Sequence, residues 1–89
     1  MPVLSLFYGI IIRMYREPDG KHHKPHLHAE YQGKEAVFDF EGEVLSGDIP
    51  HKQAVLVRAW ISIHEDDLRA NWDLLNGKEG TYFKIAPLQ

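Results

Sequence analysis

The chain has 89 residues, no cysteine and a formal net charge of −3. That length supplies one hydrophobic core, read as a single domain over 1–89, with no disulfide or thiolate zinc site to reinforce it, and the missing thiols suit a reducing, cytoplasmic setting. The net negative charge argues against strong sequence-independent nucleic-acid binding, and no run approaches the ~20 apolar residues that span a bilayer, so no membrane partner is expected.

Leu4 to Tyr15 is rich in isoleucine and aromatics, with apolar residues in both alternate sets through Ile12. It reads as one strand inside the sheet, covered on both faces. Glu17, Pro18, Asp19 and Gly20 supply a turn, and a loop runs on through Lys24 and Pro25. His26 to Tyr31 and Lys34 to Glu41 flank Gln32-Gly33, a two-residue spacing that predicts a hairpin. That turn sets His26 opposite Asp39, His28 opposite Val37, Glu30 opposite Glu35 and Tyr31 opposite Lys34. One face is then Leu27, Ala29, Tyr31, Ala36, Phe38 and Phe40, the core side. The other is His26, His28, Glu30, Glu35 and Asp39.

Glu43 to Ser46 adds a short strand. Asp48 and Pro50 mark a helix start with a side-chain cap, and Asn76-Gly77 marks the stop. Unbroken, this helix is about 40 Å long. Val57, Ile61, Leu68, Trp72 and Leu75 form its apolar stripe, and Arg58, Ser62, Glu65, Asp66, Arg69 and Asp73 its polar face. A second apolar set, Leu56, Ala59, Ile63, Ala70 and Leu74, needs cover from the tail (Tyr82, Phe83, Ile85, Leu88) or from another chain. The predicted fold is therefore α+β: a small antiparallel sheet of three to four strands, one long C-terminal helix and an extended tail.

His22, His23, Lys24, His26 and His28 form the densest ionisable cluster. Imidazole titrates near neutrality and ligates metals when neutral. Alternation puts His26 and His28 on one face about 7 Å apart, close enough to share a divalent metal, with Asp39 as third ligand. Without a metal, His26 held by Asp39 serves as general acid or base, while Arg13, Arg16, Lys21 and Lys24 bind a phosphate. That set suits RNA cleavage, in which the 2′-hydroxyl is an internal nucleophile. A solvated His-x-His surface, a cross-strand ion pair and a basic loop are the plainer alternatives. On the helix, Trp60, His64, Asp67 and Asn71 fall inside the wide apolar arc and call for a hydrogen-bonded network or a groove. There is no glycine-rich phosphate loop, cysteine nucleophile or His-Glu-x-x-His motif.

These residues resemble a family of small bacterial proteins known as domain of unknown function 4160. The resemblance runs through Gly9-Ile10-Ile11-Ile12-Arg13-Met14-Tyr15 and Pro25-His26-Leu27-His28-Ala29-Glu30-Tyr31. It continues with Glu35-Ala36, Gly47-Asp48-Ile49-Pro50, Trp60, His64, Asn71-Trp72 and Ile85-Ala86-Pro87-Leu88. Lys24 stands where many members carry a proline, and His22-His23 makes the loop unusually rich in histidine. The resemblance implies a small protein partner of the kind called domain of unknown function 2442, in a toxin-antitoxin-like module. It adds Arg13, Tyr15, His26, His28, His64, Asn71 and Trp72 as site residues.

The expected protein is thus a cytoplasmic component of such a module, acting with a small partner and carrying a ribonuclease-like activity. Its catalytic residues are His26, His28, Arg13 and Asp39, and its binding residues are Tyr15, Lys24, Glu30, His64, Asn71 and Trp72. No organic cofactor is called for. The alternatives are a non-enzymatic metal- or ligand-binding module and a homodimer built on the surplus helix face.

Overall fold

A computed structural model describes residues 2–16 and 24–89. The turn read at Glu17 to Gly20, and with it Lys21, His22 and His23, lies outside the described residues. The elements are β1 (Val3–Phe7), β2 (Ile10–Arg13), β3 (His26–Tyr31), β4 (Lys34–Asp39), β5 (Val44–Gly47) and α1 (His51–Leu75). The strands form one antiparallel sheet in chain order, β1 to β5, followed by the helix, so the fold is α+β with five strands rather than three to four.

The extra strand comes from the segment read as one strand, Leu4 to Tyr15, which is a hairpin. It reverses at Tyr8 (φ 49) and Gly9 (φ 78), with Phe7 opposite Ile10. Gln32 (φ 47) and Gly33 (φ 82) do the same between β3 and β4. Positive φ at both central residues is the turn whose twist matches the flanking strands, and glycine second is its sequence mark. β1 is consequently an edge strand. Its apolar residues divide between the core, where Leu4 and Phe7 are buried, and the surface, where Leu6 is exposed alongside Tyr8 of the turn.

The β3–β4 register is the expected one, from His26↔Asp39 to Tyr31↔Lys34. Ile10, Ile12, Met14, Leu27, Ala29, Ala36, Phe38 and Phe40 are buried against Val57, Trp60, Ile61, Leu68 and Leu75 of α1 in one cluster. β5 pairs with β4 through a bulge, and Gly47 (φ 70) lies against the Glu35 backbone there.

Pro50 occupies the N-cap position of α1 without a side-chain cap, so the capping expected of Asp48 does not form. The Asp48 backbone N–H instead donates to the Glu35 carbonyl. The helix is also not a straight rod: His64 (φ −113, ψ 22) leaves helical geometry and marks a kink. The helix ends at Asn76, as its sequence predicts. In the second apolar set Leu56 packs on the core, whereas Ala59, Ile63, Ala70 and Leu74 stay exposed. The tail covers the sector between the two stripes. Trp60 Nε1–H donates to the Ala86 carbonyl (2.8 Å), and the Asn71 amide binds both backbone groups of Phe83 (2.8 and 2.9 Å). The Ile85 N–H reaches the Leu4 carbonyl of β1 (2.9 Å). Among the described residues no helix is long and apolar enough to cross a membrane.

Candidate functional site

Alternation along β2, β3 and β4 carries a second set of side chains to the face opposite the core. Arg13 sits across from His28, and His26 across from Asp39. The two imidazoles lie on the same side, 5.5 Å apart between ring centres. Tyr15 meets His28 edge-on at 4.5 Å, and Trp72 of α1 approaches His26 at 5.1 Å. Four rings therefore form a continuous row, Tyr15, His28, His26 and Trp72, reaching from sheet to helix. Arg13 Nε is 3.0 Å from Glu30 Oε2, and His28 Nδ1 is 3.5 Å from Glu35 Oε2.

This face is not the open surface that alternation alone suggests. His26 is 1% exposed and Asp39 2%, while the His28 side chain retains 14%. Of the two histidines His28 is the more exposed, through its ring carbons, since both of its ring nitrogens are buried.

Asp39 keeps its place opposite His26 but serves other groups. Its Oδ1 accepts the backbone N–H of Glu41 and of Glu43, both at 2.9 Å, and its Oδ2 accepts Lys24 Nζ at 3.2 Å. The Lys24 carbonyl, not Asp39, is seen to orient His26, at 2.8 Å from Nδ1. A carbonyl only accepts, so Nδ1 carries a proton. Aspartate bonding its own backbone two residues on is a recognised turn habit. That was the signal for this role in Asp39-Phe40-Glu41.

Burial pushes the Asp39 carboxyl up, but the Glu43 amide, Lys24 and the Glu41 amide outweigh it and hold the pKa below its ordinary value. The Asp39 hydrogen bond and charge, with Glu41 nearby, raise the Lys24 ammonium above its own. The folded-state pKa of Asp39 is lower than its unfolded value near 3.8, so its contribution to stability is complete above that value and is lost as pH falls through it toward the native pKa. We expect the urea midpoint to drop more between about pH 6 and pH 3 in the wild type than in Asp39→Asn. Parallel pH profiles would refute this assignment.

Not every residue read as part of the site joins this cluster. Lys24 bridges Asp39 and Glu41, Glu30 pairs with Arg13, and Tyr15 and Trp72 flank the imidazoles. His64 lies against Trp60 (5.4 Å) and stands 4.0 Å from Asp67, while Asn71 is buried and bound to the tail. Asn71 and Trp60 make the clasp that fixes residues 83–86, and His64 packs on that tryptophan. Sequence reading had foreseen a satisfied network there without its partner, the tail backbone. The proposed metal set of His26, His28 and Asp39 is not assembled: among the described residues, no three such side chains come together closely enough to hold an ion.

No curated protein and no solved structure matches the chain significantly. A family profile does match, over residues 9–73, which takes in everything from Arg13 to Trp72 and leaves out β1 and the tail. The chain therefore belongs to the family described as Domain of unknown function (DUF4160).

Proposed function

We propose that the chain is the RNA-directed component of a toxin-antitoxin-like module and works together with a small protein partner. The observation that carries the activity is the juxtaposition of Arg13 and His28 across β2 and β3, with Tyr15 edge-on to the imidazole. When RNA binds, the His28 ring turns one of its nitrogens, buried in the free chain, outward, and that nitrogen takes the proton of a ribose 2′-hydroxyl as that oxygen bonds to phosphorus. The 5′-oxygen departs with a proton from water, leaving a 2′,3′-cyclic phosphate. Arg13, held by Glu30, meets the charge that builds on the phosphoryl oxygens, and Lys24 adds a second cation at the rim. His26, locked by the Lys24 carbonyl and by Trp72, positions His28. The partner reading draws on the exposed apolar residues Val55, Ile63 and Leu74 of α1.

The test is cleavage of a short single-stranded RNA by the purified chain. Replacing His28 with alanine should slow it by about 100-fold, the usual loss when a proton-transfer group is removed. His51→Ala, at the exposed start of α1, should leave it unchanged. In cells, expression of the chain alone should slow growth and degrade RNA, and a His26→Ala/His28→Ala double variant should do neither. Equal growth and intact RNA in both would end this reading.

A further inference from the structure

On the C-terminal half of α1, exposed carbon and unbalanced charge lie side by side. Ile63 keeps 65% of its surface and Leu74 45%, and Ala70 between them is exposed as well. Their spacing places the three along one side of the helix, in a stripe about 16 Å long. Asn71 holds the Phe83 backbone, so the exposed rings of Tyr82 and Phe83 border that stripe on the side of the tail. Asp66 and Asp73, two turns apart and both exposed, flank it on the other side.

The cations of this region are engaged elsewhere. Arg69 pairs with Glu65 (2.8 Å) and Glu41 (3.3 Å) and leans over the Phe40 ring, toward the sheet. Lys84 lines a cavity against Val3 to Leu6 of β1, and Lys78 lies past the helix end. Among the described residues no cation is within ion-pair distance of Asp66 or Asp73. Between Ser62 and Leu74, Glu65, Asp66, Asp67 and Asp73 stand against the single cation Arg69.

These features decide what fits. An apolar stripe edged by unbalanced carboxylates is matched by an apolar stripe edged by lysine or arginine. A second copy has the wrong sign. Setting Ile63 of one chain on Leu74 of the other brings Asp66 beside Asp73, and a parallel pairing brings each aspartate to its own counterpart. Nucleic acid is repelled for the same reason. Alanine at position 70 leaves room for another helix to approach closely. We infer that the small protein partner docks here through a basic amphipathic helix. This rests on the partner half of the proposed function and adds the chemistry of that partner.

The experiment is a titration of the ¹⁵N-labelled full chain with a synthetic helical peptide of about 15 residues, with leucines at i, i+4, i+7 and i+11 and lysines beside them. A second peptide carries glutamate for lysine. The lysine peptide should saturate with a dissociation constant on the order of 100 μM, shifting the amides of Ile63 to Leu74 and of Tyr82 and Phe83. Its binding should weaken as salt rises from about 50 to about 500 mM. Asp66→Asn/Asp73→Asn should weaken it about fivefold and Ile63→Ser/Leu74→Ser about tenfold, each variant shown to be folded by its own spectrum. The glutamate peptide should not saturate. Equal binding of the two peptides would keep a partner on this face and overturn its basic character. No saturation by either would overturn the face itself, leaving the RNA half of the proposed function to its own assay. A dimer in sedimentation that Ile63→Ser separates would assign the stripe to a second copy and overturn the inference.

Discussion

Trp60→Ala is expected to cost about 3–5 kcal/mol of folding stability, the range for emptying a large buried aromatic site. Trp60 heads the fully buried side chains by size, packs 5.4 Å from Phe7 of β1 and donates to the Ala86 carbonyl. One residue thus joins helix, sheet edge and tail. Its removal leaves a void, an unpartnered carbonyl and a tail with one anchor fewer. Domains of this size have only about 5–15 kcal/mol in total, so a large share of the molecules should be unfolded at modest urea concentration. Trp60→Phe, which keeps most of the packing and loses the N–H, should fall between alanine and wild type. Urea unfolding followed by circular dichroism measures both, and a loss under about 1 kcal/mol for alanine would mean that helix and tail are not clasped through this ring.

Gly47→Ala should be comparably damaging for a different reason. At φ 70 an L-residue is strained, and a Cβ built there comes within 2.2 Å of the Glu35 carbonyl oxygen. That oxygen is held in place because it also accepts the Asp48 N–H, so relief requires the β4–β5 pairing to separate. We expect a loss of about 2–4 kcal/mol. Gly80→Ala provides the comparison. Its φ is similar at 63, but its nearest neighbour is the Arg16 guanidinium at 3.4 Å, which can move aside. There the loss should be about 1 kcal/mol, the cost of the backbone conformation alone. Equal losses at the two glycines would show that contact with Glu35 contributes nothing.

The parts legible in the sequence were those fixed by local chemistry. Gln32-Gly33 set the register of β3 on β4, and the register sorted Leu27, Ala29, Phe38 and Phe40 from His26, His28 and Asp39. The same two-residue signal stood at Tyr8-Gly9 but was hidden, because tyrosine is a strand former and uncommon at positive φ. The buried and exposed apolar residues of two short strands then imitated one strand covered on both sides. Helix limits were legible from Pro50 and Asn76, whereas the kink at His64 has no proline or glycine to announce it.

In the site, alternation located the imidazoles but not their burial. That burial depends on Trp72 and Tyr15, which are distant in sequence and brought in by the folded chain. Asp39 shows the same limit. Pairing placed it opposite His26, yet nearby amides decided what its oxygens bind. The clasp of Asn71 on Phe83 was beyond pattern reading, since a tail without periodicity gives no register to project.

The bond between Ile85 and Leu4 has a topological consequence. Among the described residues each strand pairs only with its neighbours in the sequence, so the sheet assembles by small loop closures, and this contact is the long-range backbone bond that ties the tail to β1. β1 and the tail therefore lie side by side. A short linker from the tail to β1, with a new opening at the exposed Gln32-Gly33 reversal, would keep the same spatial neighbours in a different chain order.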